Sequence, residues 1–344
     1  MRVRTNFAFP TASALPRAGI RSALAWTVAF VLVVGLVAAV RTQWQNLFIL
    51  RDLFSAKLIA AGFCVLLSLT ASALFAAEVY RPFGVRMPVW EWFCLGMAST
   101  LGNYITPLRG GAGVRAGYLW TRHGLGAQRF AVGMAGLAVV AVWVASTSAA
   151  IGLTAAYIQR GFLSLELWII VGTCLVTGGA LGLLRPRRIR PGRRWMTRFA
   201  DVANGWHAIV HHPRSLARLV ALAGLNRLAD TFACLFVFHA LRVPADFWSA
   251  LTLTSLAMFA GLISITPGAI GIYEASVVLV GRAYGLAAAQ TVMAALVIRL
   301  LALCWLAVLA PIGSAVLAAA LRGSPGPGPA SRGNPAHDDG PRVG

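Results

Sequence analysis

The chain has 344 residues, of which 58% are hydrophobic and only 12% charged, and its mean hydropathy is +0.74. An average soluble domain carries about 25% charged residues, so this composition excludes an ordinary soluble enzyme. The basic excess, 30 basic residues against 10 acidic ones, lies in no folded basic domain, so we expect no nucleic-acid partner. Composition therefore predicts an all-α, polytopic membrane helix bundle whose positive charge faces lipid head groups.

Apolar runs long enough for membrane helices, about 20 residues each, divide the chain. The runs without charge are 22–40, 58–77, 92–108, 130–159, 167–184, 247–273 and 300–321. A further apolar segment, 216–241, contains charged residues. We predict a basic N-terminus over 1–21, a transmembrane domain over 22–321 and a disordered, Pro- and Gly-rich tail over 322–344.

A basic linker sets the predicted orientation. Residues 185–198 contain seven arginines and no acidic residue. Arginine-rich loops stay on the cytoplasmic side, so we expect the whole linker, 185–214, and both termini to be cytoplasmic in a bacterial inner membrane. We also expect the linker to contact anionic lipid head groups.

Two apolar runs end too early for simple spans. The first, 92–106, gives only about 22 Å of helix against a core of about 30 Å. It stops at Thr106-Pro107, with Gly110, Gly111 and Gly113 following, and Asn103 and Tyr104 just before the stop are candidates to cap or line the break. Proline disfavours helix before it and glycine permits a sharp turn. We therefore predict a break near 103–115 and a re-entrant hairpin.

The second break lies near 264–275 and repeats the first. Ile265-Thr266-Pro267-x-x-x-Gly271 follows Ile105-Thr106-Pro107-x-x-x-Gly111 at a distance of 160 residues. Gly268 and Gly271 again permit a turn, although two ordinary helices joined tightly would fit as well. On the predicted topology the hairpins enter from opposite sides, which is an inverted repeat. Such breaks mark substrate sites in transporters, and chance similarity of a short motif is the alternative.

Two charged residues follow the second break inside apolar sequence. Glu274 lies directly after it, and Arg299 lies within a later apolar run. Intramembrane charges generally pair or serve function, so Glu274 is a gating or binding candidate and Arg299 is its natural partner. Arg299 can alternatively hold a lipid phosphate.

Further arginines mark a second group of candidates. Arg227 and Asp230 are three residues apart, on one helix face, and a local ion pair is the plainer interpretation. Arg109 and Arg115 flank the first glycine-rich turn, where they either cradle an anionic head group or simply mark the cytoplasmic side.

No pattern predicts a metal, a cofactor or a catalytic centre. The five cysteines are scattered singly, and His207 and His211 lack a convergent third ligand. The sequence contains no nucleotide-binding loop and no hydrolase or metalloprotease motif. We expect a protein that is not an enzyme.

Each break belongs to a longer sequence motif. The first motif is residues 102–116, which begin with GNYITPLRGG, and the second is Pro267-Gly268-x-x-Gly271-x-x-Glu274. They resemble the two signatures of the lysylphosphatidylglycerol synthetase transmembrane-region family, over about residues 20–320. The family includes the flippase domain of the bacterial multiple peptide resistance factor, and Arg299 falls where it often has an arginine. The family's usual Glu after the first glycine is Ala112 here.

The resemblance implies a lipid translocase that moves an anionic or aminoacylated phospholipid. The aminoacyl transfer belongs to a separate soluble domain, for which the helix-filled chain leaves no room, so we expect no synthetase activity. The alternatives are a non-transporting accessory protein of lipid or envelope biosynthesis, such as hopanoid synthesis, and a membrane transferase using Glu274. Expected partners are anionic membrane lipids, with a homo-oligomer or a lipid-biosynthetic enzyme as further possibilities.

Overall fold

The computed structural model describes residues 55–106, 110–161, 164–183, 213–262 and 266–322. The predicted span 22–40, almost all of the linker 185–214 and the tail beyond Arg322 lie outside these residues. Within the described parts helices are the only regular secondary structure, as predicted.

Long helices are separated by shorter ones. In chain order they are α1 Ala56–Tyr80, α2 Val89–Ile105, α3 Gly110–His123, α4 Ala127–Arg160, α5 Leu165–Leu183, α6 Pro213–Ala240, α7 Phe247–Leu262, α8 Ile272–Ala283 and α9 Ala288–Arg322. Short 3-10 helices follow at Arg81–Phe83 and Pro267–Ala269. Among the described helices α1, α4, α6 and α9 are long and apolar enough to cross a membrane. Large apolar side chains such as Phe63 and Ile158 face outward, as expected of a surface in lipid.

The first break is a helical hairpin of α2 and α3. Helix α2 ends at Ile105, and the next residue, Thr106, has the extended backbone (φ −110°, ψ 142°) that is expected before a proline. The prediction that Gly110, Gly111 and Gly113 form the turn is wrong, because all three are helical. Their neighbours give the reason for Gly111: a Cβ there would collide with the Ser99 carbonyl and with Asn103. Glycine allows the two helices to approach closely.

The second break does turn on glycine. Gly268 and Gly271 have φ of +58° and +84°, in the region that favours glycine. Thr266 Oγ1 donates a 2.9 Å hydrogen bond across the turn to the Ile270 carbonyl. Helices α7 and α8 have 16 and 12 residues, too few to span, so they form a re-entrant hairpin.

Helices α1–α4 and α6–α9 are packed as two copies of one unit. Helix α4 packs on α7 as α9 packs on α2, and α1 and α6 pack on each other more extensively than any other pair. Gly152 of α4 lies against Thr252, and its counterpart Gly313 of α9 lies against Cys94. The packing therefore repeats, in addition to the short sequence motif.

The two units run in opposite directions. Along α1 and α6, Lys57 contacts the His239 carbonyl, Ser68 contacts Asn226 and Glu78 contacts Ser215, so these equivalent helices are antiparallel. We name the end at Glu78 the linker end, because the linker leads into α6 there, and the other end the distal end. The first hairpin enters from the linker end and the second from the distal end. The repeat is inverted, as predicted.

Two apolar cores hold the hairpins at these two ends. Around the first hairpin, Tyr80, Trp92 and Leu95 are fully or almost fully buried, and Leu317 of α9 completes that cluster. The larger core, around the second hairpin, includes Phe238 and residues of α4, α5 and α9. Between the two cores the hairpin tips approach each other in the middle of the bundle.

Close packing of the first hairpin can be tested with two neighbouring glycines. Gly111→Ala should destabilise the protein by about 1–3 kcal/mol, since overpacking has that effect where atoms cannot move. Gly113→Ala, where nothing lies within 4 Å of the new Cβ, should be neutral or stabilise by about 1 kcal/mol. Thermal unfolding of both variants in detergent measures the difference, and equal melting temperatures would contradict the close approach.

Candidate functional site

The tips of the two hairpins meet around a cavity of about 360 Å³. Tyr104, in the last turn of α2, packs over Gly268, where a Cβ would lie 3.0 Å from the ring. The lining joins four of the predicted site residues, Asn103, Arg115, Gly268 and Arg299. Sequence analysis missed Ser99, Thr100, Met134 and Tyr273, which also line it. Their neutral side chains give no signal within apolar helices.

Glu274 and Arg299 form a buried ion pair beside this cavity. Arg299 Nη2 lies 3.0 Å from Glu274 Oε1, and the side chains are 11% and 5% exposed. Glu274 Oε2 also accepts a 2.7 Å hydrogen bond from the Gly271 amide, which makes Glu274 a helix cap at the third position of α8. The carboxylate therefore holds both the turn of the second hairpin and the arginine of α9. The predicted pairing is confirmed.

Arg299 connects the two hairpins through aromatic rings. Its guanidinium carbon lies 5.8 Å from the ring centre of Tyr104 and 5.6 Å from that of Tyr273, within the range of cation–π contacts. Nε and Nη1 have no hydrogen-bond partner among the described residues. Arg299 thus has donor capacity left after its contact with Glu274.

Arg115 differs from the other interior arginines. It lies in the second helical turn of α3, rather than beside the break between α2 and α3. Its side chain lines both the first cavity and a second cavity of about 270 Å³. Within the described part of the chain no carboxylate lies within ion-pair distance of it, and it makes no hydrogen bond there. Its charge is available to a ligand.

Arg227 and Asp230 form the predicted ion pair on α6. Arg227 Nη1 donates to the Thr254 carbonyl at 2.9 Å, and Asp230 accepts from the hydroxyl of Ser68. These bonds join α1, α6 and α7 where the two repeats cross, so the pair has a structural role. Arg227 also lines the second cavity.

The remaining predicted residues contribute through the backbone. Gly111 permits the contact between α2 and α3, Pro267 begins the 3-10 turn, and Gly271 forms that turn and donates to Glu274. Pro107 and Arg109 lie outside the described residues.

Sequence analysis missed a second buried carboxylate, Glu91, at the linker end. Its side chain is fully buried, Arg122 Nε lies 2.7 Å from its Oε1, and the Tyr118 hydroxyl donates to it. Arg122 Nη1 also donates to the Ala320 carbonyl at 2.7 Å. The cluster fixes the mouth of the first hairpin to the end of α9. Glu91 and Arg122 are 31 residues apart in the sequence, so no local sequence pattern indicates that their side chains meet.

These contacts give the centre of the bundle a net positive charge. The Glu274–Arg299 and Arg227–Asp230 pairs are each neutral. Arg115 adds one uncompensated charge among the described residues, and no acidic side chain lines either cavity. The arrangement is suited to an anion.

Fold and site define a class: a multi-pass helical membrane protein with two re-entrant hairpins in an inverted repeat. A family model described as the lysylphosphatidylglycerol synthase TM region matches residues 11–310. The chain belongs to this family, as its two motifs predicted. The family model describes a membrane domain of lipid-related function rather than a catalytic domain. No curated protein matches the sequence.

The Glu274–Arg299 pair can be measured by a double-mutant cycle. Glu274→Gln keeps an acceptor for Gly271 but leaves Arg299 uncompensated, and Arg299→Gln leaves the carboxylate uncompensated. Because the double variant removes both charges, its loss of stability should be smaller than the sum of the single losses by about 2 kcal/mol. Thermal unfolding in detergent gives the coupling, and strictly additive losses would contradict a direct pair.

The Glu91 cluster predicts an asymmetry between two arginines near the linker end. Arg122→Met should destabilise the protein by about 3–5 kcal/mol, since it leaves a fully buried carboxylate without its cation. Arg81→Met, which removes an exposed partner of Glu78, should leave stability unchanged. Comparable losses of folded yield and melting temperature in both variants would show that Glu91 does not depend on Arg122.

Proposed function

We propose that this protein translocates a phospholipid, anionic or aminoacylated, across the bacterial inner membrane. The single observation that carries the proposal is the cavity at the hairpin tips, which, among the described residues, two arginines and no acidic side chain line. Arg115 has no anionic partner among the described residues, and a phosphate diester would supply the negative charge. Arginine binds phosphate through paired donors, and Arg299, which lines the cavity, retains donors that have no partner among the described residues.

The inverted repeat supports movement between the two sides. The hairpins enter from opposite ends, so the site at their tips lies between the two ends of the bundle. In transporters of this construction, the halves rock or open alternately around such a site. We infer that acyl chains stay in the bilayer while the head group crosses through the two cavities, which share Arg115, Met134 and Gly261.

The distribution of basic residues supports a cytoplasmic linker end. Arginines at the described helix ends there are Arg81, Arg86, Arg122, Arg129, Arg214, Arg218 and Arg322. The distal end has Lys57, Arg160, Arg242 and Arg282. By the positive-inside rule the first hairpin opens to the cytoplasm. Since the sequence contains no nucleotide-binding motif, transport is passive or ion-coupled.

Reconstitution of the purified protein in liposomes tests the proposal. Phosphatidylglycerol labelled on an acyl chain keeps its natural head group, and chemical quenching reports the fraction that reaches the outer leaflet. Wild type should accelerate this exchange, and Arg115→Gln should slow it at least tenfold because the cavity loses its uncompensated charge.

Arg129→Gln is the matched control, since Arg129 is exposed at the start of α4 and lines neither cavity. It should keep the wild-type rate. If folded wild type moves labelled lipid no faster than empty liposomes, translocation is wrong and the accessory role in lipid or envelope synthesis takes its place. Equal slowing by both substitutions would mean that the effect of Arg115→Gln is not specific to the cavity.

A further inference from the structure

The charges around the cavity also restrict the head group. We propose that the site takes a phospholipid head group that carries a phosphate and hydroxyls and no ammonium group, and that aminoacylated phospholipids are excluded. The inference rests on the proposed function for the identity of the site, and it decides between the two lipid classes left open there.

Both nearby carboxylates are already engaged. Glu274 is bound to Arg299 and to the Gly271 amide, and Asp230 to Arg227 and the Ser68 hydroxyl. Neither lines a cavity. Among the residues that the structure describes, an ammonium group entering with the head group would therefore find arginines and neutral groups, and would lose its water without gaining an anion. Such an uncompensated charge is strongly disfavoured away from water.

The inverted repeat shows where a carboxylate is missing. Counted by the sequence motif, by the Gly-Leu pair that follows each hairpin or by the helix starts, Glu274 corresponds to Val114, Gly113 or Ala112. None of these carries a charge. Counted from the same Gly-Leu pair, Arg299 corresponds to Ala138, and the residues on either side of Ala138 are also uncharged. The first repeat has no counterpart of the ion pair.

Open space takes the place of that pair. Ala112 lines the first cavity and Ala138 the second, and Arg115 lines both. A phosphate beside Arg115 would stand in the first repeat for the anion that Glu274 provides in the second. One phosphate diester, with one negative charge, compensates the one surplus arginine, and ammonium groups added to the head group would bring positive charge that no described residue compensates.

The neutral lining suits hydroxyl groups. Asn103 and Thr100, an amide and a hydroxyl side chain, line the first cavity. Such groups accept and donate hydrogen bonds without carrying a charge, so they can bind the hydroxyls of a head group. A single neutral acceptor satisfies a hydroxyl but does not compensate a full charge in a medium of low dielectric constant.

The experiment introduces the missing carboxylate. Ala112→Glu places it three residues before Arg115 on α3, a spacing at which the two side chains contact each other. Ala112→Gln has nearly the same size without the charge, so a comparison of the two variants isolates charge from bulk. Acyl-labelled phosphatidylglycerol and its lysyl derivative are compared in the same liposome assay. The melting temperature of each protein with each lipid in detergent gives a readout independent of transport.

Wild type should move phosphatidylglycerol at least tenfold faster than lysylphosphatidylglycerol and gain melting temperature with the former alone. Ala112→Glu should lower that preference at least tenfold relative to Ala112→Gln. Equal or faster movement of the lysyl lipid by wild type, or equal preferences in the two variants, would overturn the head-group assignment and leave translocation standing. Selective stabilisation by phosphatidylglycerol without movement would retain the assignment and overturn translocation. Absence of both effects would overturn both.

Discussion

Hydrocarbon supplies no water and no counter-ion, so a charged side chain inside this bundle has to find its compensation within the protein or in a ligand. Glu91, Asp230 and Glu274 each meet this condition with an arginine on the same or a neighbouring element. Arg115 does not meet it within the described chain. Among the described residues, Arg115 is thus the exception. It lines the cavity where the hairpin tips of the two repeats meet, which distinguishes this cavity from the rest of the interior.

Close helix packing makes that meeting point possible. Lipid gives helices no hydrophobic reason to associate, so contact depends on backbones that approach closely, which small residues allow. Gly111 allows this within the first hairpin, and Gly152 and Gly313 allow it at the equivalent contacts between the units. These contacts hold short helices that could not span a membrane by themselves. The hairpins then project their tips, rather than their sides, toward the centre.

Local sequence predicted much of this architecture. The apolar runs marked the helices, and the threonine–proline pairs marked the hairpins because proline restricts the residue before it. Glu274 and Arg299 were recognisable because charge within apolar sequence is rare. What local sequence could not predict depends on distant contacts. Tyr273 became a site residue by flanking Arg299, opposite Tyr104, and Glu91 by meeting Arg122, which lies on another helix. The glycines of α3 were misinterpreted because packing and turning both require glycine.

The two hairpins are held in different ways, and this bears on how a symmetric construction could work asymmetrically. The second is tied by charge at its tip, through Glu274, Arg299 and the tyrosine rings. The first is tied by charge at its mouth, through Glu91 and Arg122, and its tip is held by the neutral contact of Ser99 with Gly111. In an inverted repeat the arrangement that opens to one side and the arrangement that opens to the other would be equal in energy only if both halves carried the same contacts. An anion beside Arg115 would add to the first tip the interaction that the second tip already has. On the proposed function, substrate binding therefore reduces the difference between the halves, so the loaded protein would exchange between its two arrangements more readily than the empty one.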